Sequence, residues 1–197
     1  GKLQLGMLST SAFKPLAASM GPMLKEESFH LGTGSNGLRR IIKAGVIPLD
    51  MLQRYMNKWV ATAHDLFGTD SSTSAHWAYV WGVKGRWDER KKLDAEIYVN
   101  KEVLNEEGRG HYHEEIVREV QKLNGYLPED CGVTLYVPHE NFHRDIGAFG
   151  GKKCYTDGSL FEGSDEEYDA YLKTVLPTPE DEEALKEIFK QQWIQDK

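Results

Sequence analysis

From about Ala12 to Leu31, residues Leu16, Met20, Met23, Glu27 and His30 follow one another at alternating steps of four and three, the spacing of one α-helical face. Two polar side chains thus lie in line with an apolar stripe. Gly21-Pro22 interrupts the pattern, because proline lacks an amide donor and crowds the preceding turn, so the helix is expected to restart or kink there. Gly32-Thr-Gly-Ser-Asn-Gly37 predicts a flexible connection. Pro48 suits the first turn of a second helix, with Leu49, Leu52, Met56, Trp59, Val60, Ala63, Leu66 and Phe67 as its broad apolar face and Gly68 as its stop.

Asp70-Ser-Ser-Thr-Ser74 offers several N-caps for a third helix through Ala75 to Trp81. A fourth helix is expected between about Asp88 and Asn105, and a fifth on Ile116, Val117, Val120 and Leu123. The pattern then changes. Val133-Thr-Leu-Tyr-Val137 is rich in strand formers and Asp157-Gly158 is a hairpin-type turn, which predicts a small β appendage. The acidic stretch from Asp165 to Asp169 reads as solvated surface, and Thr178-Pro179 caps a last helix carrying Ala184, Leu185, Ile188, Phe189 and Trp193. The expected organisation is mainly α: a helical region over 1–130 and a small α+β extension over 131–197.

At 197 residues with 40% hydrophobic content the chain can bury a core. A net charge of -7 argues against general nucleic-acid binding, despite local basic clusters at Arg39, Arg40 and Lys43 and from Lys84 onward. No apolar run approaches a membrane span and no secretory leader is evident, so a cytoplasmic location is expected. Cys131 and Cys154 have neither the number nor the spacing of a disulfide framework or zinc knuckle. The chain opens at Gly1 without an initiator Met, as a processed or partial polypeptide would.

Three motifs carry candidate chemistry. Glu27-Ser-Phe-His30 sets a carboxylate and an imidazole one helical turn apart, a pair able to hold one edge of a two-metal cluster. His139-Glu-Asn-Phe-His143 matches the H-E-x-x-H zinc-hydrolase signature, in which both histidines bind zinc from one helix and Glu140 activates water, although Pro138 and Gly147 leave little room for that helix. His111 and His113 form an H-x-H pair, expected in a solvated loop. Trp77, Tyr79, Trp81 and Trp87 either line an aromatic-substrate pocket or fill a core.

Taken together, Gly1-Lys-Leu-Gln-Leu5, Lys25-Glu-Glu-Ser-Phe-His30, Gly45-Val-Ile-Pro-Leu-Asp50, Asp65-Leu-Phe-Gly68, Gly82-Val-Lys-Gly-Arg-Trp87, Val137-Pro-His139, Phe142-His-Arg144 and Ile146-Gly-Ala-Phe149 resemble the oxygenase components of benzoyl-coenzyme A epoxidases, ferritin-like diiron monooxygenases. The resemblance covers residues 1 to about 150 and implies that the chain is the C-terminal half of a ferritin-like diiron core. It implies epoxidation of the ring of an aromatic acyl-coenzyme A such as benzoyl-coenzyme A, with dioxygen as oxidant and electrons from a separate reductase. Glu27 and His30 then correspond to the family's second E-x-x-H iron-ligand pair. The family's other ligands lie on earlier helices, the nearest just before Gly1, so the iron centre is incomplete in this chain and awaits an N-terminal half. Lys84 and Arg86 are candidates for contact with coenzyme A phosphates, which need positive partners. Two other readings stand beside this one: a non-catalytic assembly or binding module completing a separate ferritin-like chain, and a zinc hydrolase built on His139, Glu140 and His143.

Overall fold

A computed structural model describes residues 1–86 and 102–191. Seven helices are present among them: α1 (Lys2–Leu8), α2 (Lys14–Ala44), α3 (Leu49–Asp65), α4 (Thr73–Val80), α5 (Leu104–Asn124), α6 (Asp165–Val175) and α7 (Pro179–Phe189). The chain is mainly helical, as its periodicity predicts. The expected helix from Asp88 lies largely outside the described residues, as do Trp87 and Trp193. The described residues form two compact units, Gly1–Gly34 with Leu66–Tyr112 and Ser35–Asp65 with His113–Lys197, so the divisions fall inside α2 and α5.

The first unit buries Leu3 and Met7 of α1, Ala17 and Met20 of α2, Phe67, Ala75 of α4 and Leu104. Gly108 on α5 permits a close approach, because a β-carbon there would sit only 3.3 Å from the Phe67 ring and 3.4 Å from the Met7 sulfur. Asp70 stabilises the start of α5, its carboxylate accepting from the backbone N–H groups of Asn105 and Glu106 at 2.9 Å each. Ser72 caps α4 by accepting from the Ala75 amide at 3.1 Å, within the polar run that predicts a cap.

The second unit is centred on Ile42, Val120, Leu123 and Leu135, with Leu52, Met56 and Ile116 packed around them. Asn57, fully buried on α3, donates to the Val175 carbonyl at the end of α6 (2.8 Å). Arg54 binds both carboxylate oxygens of Asp181 in the first turn of α7, at 2.8 and 2.5 Å.

Several expectations are corrected. α2 does not restart at Pro22, and it continues through Gly32 to Gly37, where a flexible connection is expected. Interior proline and glycine cost helix stability, but local propensity is a weak term against burial of Ala17 and Met20 toward one end and Leu38 and Ile42 toward the other. α5 begins far ahead of Ile116, so His111 and His113 lie on a helix, not in a loop. The acidic stretch is exposed at Asp165, Glu166, Glu167 and Asp169, as expected, and also opens α6 through a reciprocal capping box between Ser164 and Glu167.

No strand occurs among the described residues. Residues 133–137 make no sheet because side chains satisfy their backbone: Asn124 brackets Leu135, donating to its carbonyl at 2.8 Å and accepting from its amide at 2.9 Å. Gln53 does the same for Tyr136, at 2.9 Å in both directions. The turn at Asp157-Gly158 forms, with Gly158 at φ 89°, but its arms meet in one antiparallel bridge between Cys154 and Leu160. The hydroxyls of Tyr168 and Tyr171 on α6 accept from the Cys154 and Thr156 amides, taking the place of a neighbouring strand.

Candidate metal centre

Glu27 and His30 lie in the middle of α2, three residues apart, where the helix brings successive turns into register. Their side chains meet, with His30 Nδ1 3.4 Å from Glu27 Oε1, and they remain 69% and 31% exposed for His30 and Glu27 respectively. Exposure keeps both donors within reach of an ion. Gly1 adjoins the pair: a β-carbon on Gly1 would meet the Glu27 carboxylate, which would have to swing aside to admit it. Along the same stretch Met23, Phe29 and Leu31 are exposed by 45%, 74% and 48%.

A carboxylate oxygen and an imidazole nitrogen are ordinary ligands for iron, manganese or zinc, so the donor set fits one edge of a metal centre. Two donors are too few to complete one. No group of three or more histidine, cysteine, aspartate or glutamate side chains arranged to hold a metal occurs among the described residues. Glu27 and His30 therefore fit one edge of a metal site.

The other candidates separate. Lys84 donates its ammonium to the Asn105 side chain, and burial pulls its pKa down despite the field of Asp70. Arg86 is half-buried in the same unit. Tyr79 donates its hydroxyl to Asp70, and burial followed by that contact holds the phenol protonated far into alkaline solution. Trp77 and Trp81 tilt against each other at 5.3 Å on the surface of α4, 45% and 68% exposed, so they fill no core. His139, Glu140 and His143 lie in turns, with His143 at φ 49°, and the helix that would aim both imidazoles at one zinc is not formed.

Sequence reasoning missed a histidine pair. His64, fully buried near the end of α3, places its Nε2 3.3 Å from Nδ1 of His113 on α5. Its period-compatible position on α3 carries no local sign of a partner 49 residues away. Asp65, in the Asp65-Leu-Phe-Gly68 motif, pairs with the nearly buried Arg144 and accepts from the Asp145 amide at 2.9 Å.

No family model matches the chain. It is 32% identical over 222 aligned residues to benzoyl-CoA oxygenase component B from Aromatoleum evansii, an alignment that takes in 92% of this chain and 46% of the relative. The chain thus spans about half the length of that curated relative. No helix among the described residues is long and apolar enough to cross a membrane.

Proposed function

We propose that this chain, which belongs to the family of benzoyl-CoA oxygenase component B, is part of a diiron monooxygenase that epoxidises the ring of an aromatic acyl-coenzyme A such as benzoyl-coenzyme A. The observation that carries the reading is the meeting of Glu27 and His30 on α2 with Gly1 against the Glu27 carboxylate. Glu27 would hold the metal through its carboxylate and His30 through an imidazole nitrogen. When bound, a diiron centre supplies the reduction of dioxygen and the delivery of one oxygen atom to the ring.

The remaining ligands would come from an N-terminal half, the electrons from a separate reductase, and the setting is cytoplasmic. An assembly role is supported by the exposed Met23, Phe29 and Leu31 flanking the ligand pair, since helices bringing further ligands would cover them. A chain that only completes such a partner, without contributing ligands, would leave iron content unchanged when Glu27 or His30 is replaced. Co-purified assembly and iron analysis of these variants separate the two readings.

For the substrate, we assign the coenzyme A phosphates to the Lys84-Gly-Arg86 segment, with Arg86 as the principal contact because a guanidinium can hold a phosphate through two parallel N–H bonds. Arg86→Ala in the assembled oxygenase is expected to weaken acyl-coenzyme A binding about tenfold, the effect of one charge-assisted contact of about 1.5 kcal/mol, and to flatten its salt dependence. Titrations at two ionic strengths measure both. Unchanged affinity and salt dependence would remove the segment from the substrate site.

A further inference from the structure

The second unit contains a row of imidazoles that the proposed chemistry does not use. His64 on α3 is fully buried, His113 on α5 is half-buried, and His139 lies at the surface. His64 Nε2 and His113 Nδ1 are 3.3 Å apart, one donating to the other, and the His113 and His139 ring centroids are 6.4 Å apart. His139 Nδ1 accepts from the Asn141 amide at 3.1 Å, which requires that nitrogen to be unprotonated. Gly158 seals the other side of the His139 ring: it stands at φ 89°, and a β-carbon there would collide with the imidazole.

We propose that His64, His113 and His139 form a pH-sensitive joint that holds the 139–146 turn onto α3 and α5 at neutral pH and loosens it in mildly acidic solution. The His64–His113 pair can keep its hydrogen bond with one proton shared between the rings, but not with a proton on every nitrogen, because two imidazolium rings would then face each other at contact distance. Protonating His139 Nδ1 removes the acceptor for Asn141. The surrounding charges shape the response. Glu140 on the turn and Glu114 on α5 favour a charged His113, while burial, the larger effect, and His139 oppose it, and the net result lowers its pKa. Asp157 faces His139 across the Gly158 turn.

A second tie on the same turn involves no histidine. Asp65, next to His64, holds Arg144 and the Asp145 amide, and Arg144 donates to the Glu140 and Ile146 carbonyls at 2.8 and 3.2 Å. The sign follows from linkage. A histidine whose folded pKa is lowered stabilises the fold above its unfolded value near 6.5, and that contribution is lost as pH falls below it.

The test uses the 197-residue chain, with ring titrations of its histidines by NMR and amide exchange from pH 7.5 to 5.5. Expected are a coupled, two-step titration for His64 and His113, and loss of protection by about tenfold or more at Asn141 and Phe142 after correction for intrinsic exchange. His113→Gln keeps a polar partner for His64 without the titration. Its unfolding equilibrium constant is expected to change with pH less steeply than the parent's, by up to about tenfold per pH unit. Independent titration of all three rings near the ordinary histidine value with unaltered protection would overturn the proposal, as would equal pH dependence in parent and His113→Gln. If that variant does not fold, the ring titrations and exchange of the unsubstituted chain decide alone.

Discussion

Replacing Arg54 with alanine is expected to destabilise the chain by about 3 kcal/mol, the lower end of the cost of leaving a buried charge without its partner. Asp181 is 6% exposed and receives two bonds from the guanidinium, at 2.8 and 2.5 Å. Without Arg54 its carboxylate keeps only local donors at Thr178, whose amide lies at 3.0 Å. The third arm of Arg54 reaches Asp50 at 2.8 Å, but Asp50 is 70% exposed, so Asp50→Ala should cost less than about 1 kcal/mol.

Arg54 holds the Asp181 carboxyl below its ordinary pKa of 3.8. A lowered carboxyl contributes stability above its unfolded value and loses it as pH falls toward the lowered folded one. The difference between parent and Arg54→Ala should therefore be full at neutral pH and shrink below about pH 4. Denaturant unfolding of both variants at pH 7 and pH 3.5 measures this. Equal losses for Arg54→Ala and Asp50→Ala would contradict the buried clamp.

The second large effect is expected at the candidate metal centre. In an oxygenase assembled with its other components, Glu27→Ala and His30→Ala should each lower turnover by at least about a hundredfold, together with iron content, because a lost ligand removes more than the tenfold to hundredfold typical of supporting contacts. Acyl-coenzyme A affinity should change little, since neither side chain is assigned to the coenzyme A phosphates. Normal iron content with lost turnover would move these residues from metal binding to another role.

The helices that open with strong local chemistry are the ones the sequence makes legible. Thr178-Pro179 caps α7, Ser72 caps α4 and Pro48 immediately precedes α3, because each cap is decided within one turn. The length of α2 is hidden, since Pro22 and the glycines from Gly32 to Gly37 speak against helix locally and only buried residues toward its ends outweigh them. The false strand at 133–137 has a related cause. Its residues favour extended backbone, but whether that backbone meets a neighbouring strand or the amides of Asn124 and Gln53 depends on contacts 11 and 83 residues away. In the candidate site, Glu27 and His30 are visible because one helical turn joins them. The His64–His113 pair is invisible because tertiary packing alone brings it together.

The most direct test of the central claim is anaerobic iron titration of residues 1–197, with iron per chain measured after desalting and with turnover of benzoyl-coenzyme A assayed in the presence of a reductase. If Glu27 and His30 form one edge of a diiron site completed by ligands outside this sequence, the chain alone retains well under one iron and shows no epoxidation, and its weak binding disappears in Glu27→Ala and His30→Ala. Two tightly held irons with turnover, or iron binding indifferent to both substitutions, would contradict the account.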